Sequence, residues 1–407
     1  MFPTRRKAGI AALVLIAAAA AGAGSYVSGS AAGHGYGSQA VCGAPAPGDA
    51  RCNSRLLTRD GQVVTNTTPA GYGPSDLQSA YNLTSASTTN GTGQTVAIVD
   101  AYDDPNAVND VSAYRSRLDG FGCKSGTVSV SGCTFSNGPT IKKVGQSGTT
   151  SYPRSNGGWA QEISLDLDMV SAICPNCSIL LVEANSASMT DLGASVKTAV
   201  NQHANVISNS YGGNESSSDS TYDSNYFNQS GVVITASSGD SGYGVEYPAA
   251  SKYVVSAGGT SLTRTSSGGW SESAWSGAGS GCSADDSAPA WQATWATKCS
   301  NKAVADVSAD ADPNTGVAVY DSFRYQGLSG WLVFGGTSVA SPIIASVYAL
   351  AGNAATNPQG NLNTGTLNDI TSGSNGNCPS ATSLWCTAGT GWDGPTGLGS
   401  PNGTGAF

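Results

Sequence analysis

Histidine is the scarcest chemistry-bearing residue here, with two in 407 residues, His34 and His203. A serine hydroxyl usually hands its proton to an imidazole, so this scarcity narrows the ways in which a serine could be activated. Charge is also sparse, at 11% of residues, and no basic patch exists to hold nucleic acid. Beyond the first stretch there is no run of 18 apolar residues, which leaves no later candidate for a spanning helix. A hydrophobic content of 39% is ample for a core, which argues against a disordered chain.

What is present begins with "TRRKAGIAALVLIAAAAAGAG", in which Arg5, Arg6 and Lys7 precede an apolar run and then small residues. That is the pattern of a secretory signal peptide, residues 1–32, with cleavage after Ala23 or Ala32 fitting the small-residue rule. The run is short and Ala-rich for an uncleaved anchor, so no membrane association is expected after cleavage. The remaining 15 Lys and Arg stand against 27 Asp and Glu, an acidic balance compatible with work at low pH. All ten cysteines lie beyond the signal in five local pairs, and an even count in an exported chain implies disulfides, most simply between sequence neighbours. "CPNC" at 174–177 could serve redox or zinc chemistry instead, but no second CxxC or His pair exists to complete a zinc site.

Residues 33–70 are rich in Gly, Pro and Ala and read as a short segment ahead of a domain at 71–407. Within that domain "SDLQSAYNL" is a short helix capped by its serine. The runs 94–101, 177–184, 204–210, 231–237, 252–258 and 315–321 are β-branched without polar alternation, as expected of parallel strands covered on both faces. Helical patterns intervene at 158–173, from a Thr190 cap onward, and after the glycine turn at 335–336. The alternation predicts a doubly wound α/β sheet, mostly parallel, with helices on both faces and ligands at the strands' carboxyl ends.

Four stretches carry candidate chemistry. In "FGGTSVASPIIASVYALAG" a glycine turn presents Ser338 at the start of a helix, a good posture for a nucleophile. On the helix 158–173, Glu162 and Asp166 are four apart and share a face, with Asp168 pointing elsewhere. An exposed acidic face is the plain alternative, although Ile163, Leu167 and Val170 bracket the stripe. Asp240 sits in "SSGDSG" at a strand end, where an Asp also serves simply to form a turn. "NSYGG" at 209–213 ends another strand; its edge, Ser210, Tyr211, Gly212 and Gly213, could hold an extended peptide or be merely a loop.

Taken in order, "GGTSVASP" resembles the serine motif of the subtilisin clan, while the acid helix stands where that clan has a histidine. The Glu-x-x-x-Asp helix, the Ser-Gly-Asp turn, the Gly-Thr-Ser turn and "PSDLQSAYNL" together resemble the sedolisins, the serine-carboxyl peptidases, over residues 71–407. The resemblance implies a secreted endopeptidase in which Glu162 is general base to Ser338 and Asp166 orients Glu162 and shares its proton. Asp240, kept protonated, would donate to the oxyanion beside the Ser338 backbone N–H. A carboxylate base and a protonated Asp both suit acid pH. The resemblance also implies one structural Ca2+, held by Asp369 and Asp393 with the carbonyls of Ile370, Gly389 and Gly391, oxygen donors that suit a hard cation. Protein or peptide substrates and a monomer are expected. Asp100, where subtilisins carry a triad aspartate, reads as a structural or supporting acid, and His203 as a helix-end histidine. Family members usually have a longer N-terminal pro-domain than residues 33–70 provide, and "TSVASP" is nearer the subtilisin form.

Overall fold

Parallel strands need crossovers, and the helices that supply them cover both sheet faces. The computed structural model describes residues 35–353, 362 and 364–407, and its centre is a nine-stranded sheet. Thr95–Ala101 lies in the middle, parallel to Ser178–Ala184 on one side and Val206–Asn209 on the other. Thr140–Gly145 extends the first side; Val233–Ser237 and Val255–Arg264 extend the second, all parallel. The short strands Gly132–Thr134 and Trp270–Ala274 join the sheet antiparallel to their neighbours. The expected doubly wound, mostly parallel architecture is the one observed. The proposed signal peptide and His34 lie outside the described residues.

Two helices matter most. Gly157–Ile173, the acid helix, packs against Thr337–Ala351, the serine helix, and both are buried along nearly their whole length. Gly336 precedes the serine helix at φ 96°, and the left-handed Gly352 closes it. The helix expected after Thr190 spans Met189–Asn201 and is capped by Ser188, whose hydroxyl accepts the Asp191 N–H at 3.2 Å. The first helix, Pro74–Ala80, has Gly73 as its cap, with the Asp76 carboxylate on the Gly73 N–H at 3.0 Å in place of a serine.

One strand departs from expectation. Residues 315–321 contribute Val317–Tyr325 not to the parallel sheet but to a second, six-stranded sheet, antiparallel to Leu328–Gly335. Val317, Ala318 and Val319 are buried, so the apolar run is covered on both faces. Coverage, not strand direction, is what such a run encodes. Four strands from residues 36–66 join this second sheet: among them Arg55–Arg59 pairs with both Tyr36–Ala40 and Leu328–Gly335, which leads into the serine helix.

All five disulfides join sequence neighbours: Cys42–Cys52, Cys123–Cys133, Cys174–Cys177, Cys282–Cys299 and Cys378–Cys386. Each staples a loop and narrows the unfolded ensemble, by about 3 kcal/mol for a loop near fifteen residues. Among the described residues no helix is long and apolar enough to cross a membrane.

Candidate active site

The acid helix starts where the Asn156 side chain accepts the N–H groups of Gly158 at 3.1 Å and Trp159 at 3.3 Å. Glu162 and Asp166 point from it into the core with no exposure, so the exposed-face alternative fails. Asp168, on another face, is equally buried and accepts the Tyr320 N–H at 2.9 Å.

Asp100, at the carboxyl end of Thr95–Ala101, completes a three-acid cluster. Burial pushes the Asp100 carboxyl up to about 8. Burial raises Glu162 well above the ordinary carboxylate range, and the Asp100 charge adds to it, while the Ser338 and Ser54 hydroxyls pull it back. Asp166 is raised likewise by burial, then by Asp100 and Glu162, with the Ser210 hydroxyl opposing. Both oxygens of each of these three carboxyls lack a partner at full hydrogen-bond geometry. Three acids so placed hold protons in common and titrate as a unit.

Ser338, the second residue of its helix, is wholly buried, and its hydroxyl donates to the Ser210 carbonyl at 3.1 Å. It lies close enough to Glu162 to lower that carboxyl's pKa without making a full bond to it, as a nucleophile at rest commonly does. Asp240 Oδ1 accepts the Thr337 N–H at 2.7 Å and the Thr337 hydroxyl at 3.0 Å; Oδ2 is buried with no partner. Burial lifts this carboxyl to about 7, against the Thr337 N–H and the Arg55 charge. In the acid form its free oxygen carries a proton to donate.

The edge Tyr211–Asn214 is occupied by the chain itself. Arg51 and Cys52 pair with it antiparallel, Cys52 opposite Tyr211 and Arg51 opposite Gly212. The next residue, Asn53, donates its N–H to the Ser210 carbonyl at 3.1 Å, and its own carbonyl accepts the Ser338 N–H at 2.8 Å. The second expected oxyanion donor is therefore engaged by Asn53. A Cβ on Gly336 would stand 2.3 Å from that carbonyl oxygen and 2.6 Å from Asp240 Oδ2, so both atoms border one small space that only glycine leaves open. Asn53, Ser54 and Glu246, whose Oε2 accepts from Asn53 Nδ2 at 3.0 Å, escaped the sequence reading. No periodicity or spacing tells that a segment preceding the first helix crosses the nucleophile.

His203 is exposed at φ 64°, at the amino end of Val206–Asn209, whereas Ser338 meets the carboxyl end. Ser210 is seven positions on from His203, on the order of 20 Å at strand rise, so the His203 imidazole is out of reach of Ser338. At the C-terminal loops the Asp369 carboxylate accepts the Gly391 N–H at 3.1 Å, and Asp393 Oδ2 accepts the Gly389 N–H at 3.0 Å. Among the described residues no hydrogen bond ends on the carbonyls of Ile370, Gly389 or Gly391. Two neighbouring acids and uncommitted carbonyls form a donor set that fits a divalent hard cation. A different trio, Asp104, Asp110 and Asp321, brings carboxylate oxygens within 4.8 Å of one another. Burial raises their carboxyls to about 7, 6 and 8.

Residues 145–372 match the profile of the Subtilase family. Kumamolisin of a Bacillus strain is 30% identical over 82% of this chain and 63% of its own length. Sedolisin of a Pseudomonas strain is 27% identical over 82% of this chain and 60% of its own length. The chain thus spans about three fifths of these relatives. Among solved structures, Pseudomonas sedolisin, described as a serine-carboxyl proteinase complexed with pseudo-iodotyrostatin, covers 82% of this chain. It is itself covered to 96%, at 26% identity and a TM-score of 0.65. A lanthipeptide protease, 15% identical with a TM-score of 0.51, covers 84% of this chain and is itself covered to 98%, a likeness of fold alone. With its serine turn intact and an acid helix facing that serine, the chain belongs to the subtilase family, on the side of the sedolisins.

Proposed function

We propose that this chain is a secreted serine-carboxyl endopeptidase whose peptidase domain is residues 71–407 and which works best at acid pH. The observation that carries the reading is the buried Glu162 carboxyl beside the Ser338 hydroxyl, with Asp166 and Asp100 behind it. In the reaction the Ser338 hydroxyl attacks a peptide carbonyl as Glu162 takes its proton. Asp240, in its acid form, and the Ser338 N–H donate to the oxyanion. Glu162 passes the proton to the leaving amine, and water then releases the acyl group from Ser338. Substrates lie along Ser210, Tyr211, Gly212 and Gly213, where Arg51 and Cys52 already demonstrate antiparallel pairing.

Export is supported by the N-terminal pattern together with five disulfides. Asp369 and Asp393, with the carbonyls of Ile370, Gly389 and Gly391, would hold one Ca2+. Bound there, the ion supplies positive charge that ties two loops together; no bond-making step involves it.

The test is hydrolysis of an unfolded protein across pH 3 to 9 by the purified chain and by Ser338→Ala and Glu162→Gln. Acid-side hydrolysis lost in both variants is the expected result. Hydrolysis that survives in Glu162→Gln would require another base. Absence of hydrolysis and of Ser338 labelling by a fluorophosphonate at every pH would favour a silent binding protein on this fold.

A further inference from the structure

The segment 48–55 is held at every point where a peptide substrate would be. The Ala50 N–H donates to the Ala187 carbonyl at 2.8 Å, and Arg51 and Cys52 form a ladder with Gly212 and Tyr211. Asn53 then places its N–H on Ser210 and its carbonyl oxygen on the Ser338 N–H, beside the unpartnered Asp240 Oδ2. Past Asn53 the Ser54 carbonyl accepts the Val41 N–H at 3.0 Å, and Arg55 pairs with Gly335. A backbone anchored on both sides of one carbonyl, with that carbonyl between the oxyanion donors, presents the bond that follows it for attack.

The Asn53 side chain fills a pocket of its own. It is 1% exposed, and its Nδ2 donates to Ser237 Oγ at 3.0 Å and to Glu246 Oε2 at 3.0 Å. Glu246 is already bridged to Arg51 at 3.3 Å through its other oxygen, so what it has left suits a neutral donor better than a second cation. An Asp in the same place would lack the two N–H donors that Asn53 Nδ2 gives to Ser237 Oγ and Glu246 Oε2, offering at most one O–H. Gly212 closes the pocket: a Cβ there would stand 2.3 Å from Glu246 Oε2 and 3.2 Å from Asn53 Nδ2.

From this geometry we infer that the enzyme selects asparagine before the bond it cuts, through Ser237 and Glu246, and that its first such bond is its own Asn53–Ser54. The inference rests on the peptidase reading and names that site's specificity and its first substrate. The Ser338 Oγ bonds to the Asn53 carbonyl carbon and Glu162 takes the hydroxyl proton. The Asn53–Ser54 C–N bond breaks, and the Ser54 nitrogen leaves as an amine with that proton. Water hydrolyses the Asn53 ester, giving an Asn53 carboxylate and a free Ser338. Cutting leaves the Cys42–Cys52 ring wholly on the released side.

The full-length chain, purified and shifted to pH 4, is followed by intact mass and N-terminal sequencing, with an unfolded protein substrate assayed in parallel. The expected result is a new terminus at Ser54, formed at a rate unchanged by tenfold dilution and absent in Ser338→Ala. In Asn53→Asp it should form at least tenfold more slowly. Peptides with Asn-Ser should exceed Asp-Ser and Lys-Ser peptides by at least tenfold in kcat/KM, a comparison that holds even where Asn53→Asp fails to fold. A chain that stays joined at 53–54 while it digests the added protein overturns the inference and leaves the peptidase reading standing. So does a Ser338→Ala chain cut equally fast by added active enzyme, or equal rates on the three peptides. A chain that cuts neither itself nor the protein overturns both readings.

Discussion

The backbone N–H of Thr337 donates to Asp240 Oδ1 at 2.7 Å, one residue before the nucleophile, and so turns Oδ2 toward the space that the Asn53 carbonyl fills. An oxygen in that position helps an oxyanion only while it carries a proton. With burial holding the Asp240 carboxyl at about 7, kcat/KM should fall as pH rises past about 7. Asp240→Asn keeps a donor that does not titrate, so its profile should lose that alkaline limb; Asp240→Leu should cost roughly 10²–10³-fold in kcat. An alkaline limb that is unchanged in Asp240→Asn would assign it to another group.

Asp100 supplies the largest charge acting on both Glu162 and Asp166, after the effect of burial itself. Burial holds the Asp100 proton up to about pH 8, so that charge acts only on the alkaline side. The acid limb of the pH–kcat profile should therefore stay in place in Asp100→Asn, with KM nearly unchanged. An acid limb that moves in Asp100→Asn would mean that Asp100 is already ionised at acid pH.

Buried acids also set how the fold responds to pH. Asp100 and Asp240 have folded-state pKa values raised to about 8 and about 7 from an ordinary aspartate value of 3.8. Between the unfolded and folded values the native state binds more protons, so stability falls as pH rises. The contribution is full below about pH 4 and gone above about pH 8. The melting temperature of the Ser338→Ala chain, which cannot digest itself, should drop across that window, and Asp100→Asn should flatten the drop. A melting temperature that climbs from pH 4 to 8 would contradict the burial of these groups as acids.

The C-terminal loops give a metal test. If Asp369 and Asp393 hold a cation, a chelator should lower the melting temperature and added Ca2+ should restore it. A ligand present at about 100 times its Kd adds about 2.7 kcal/mol to stability. Asp369→Asn should already melt low and should no longer respond to chelator. Equal chelator sensitivity in Asp369→Asn and the unaltered chain would move the ion elsewhere.

Much of the frame was legible because its cues are local. Five of the six strand runs lie in the parallel sheet, and the Gly336 turn and the cysteine pairs follow from nearest neighbours in sequence. The Glu162–Asp166 spacing named a shared face but not which side of the helix was buried. Ile163, Leu167 and Val170 hinted at burial, and the structure extends it all round the helix, Asp168 included. What the sequence hides is long-range. Val317–Tyr325 carries the apolar run of a parallel strand and pairs antiparallel. Asn53 lies in a Gly- and Pro-rich stretch whose meaning depends on a groove built by residues 150 and more positions away.

Tyr36–Ala40 and Arg55–Arg59 lie side by side as an antiparallel pair, one on each side of the Asn53–Ser54 bond in sequence. Scission at that bond would therefore leave a nicked protein, not a shortened one, with the severed strand still clasped by its partner. Two clocks would then run in series, one for breaking the covalent link and one for the clasped piece to drift away. A denaturing gel would read the first clock, and turnover of added substrate would read the second.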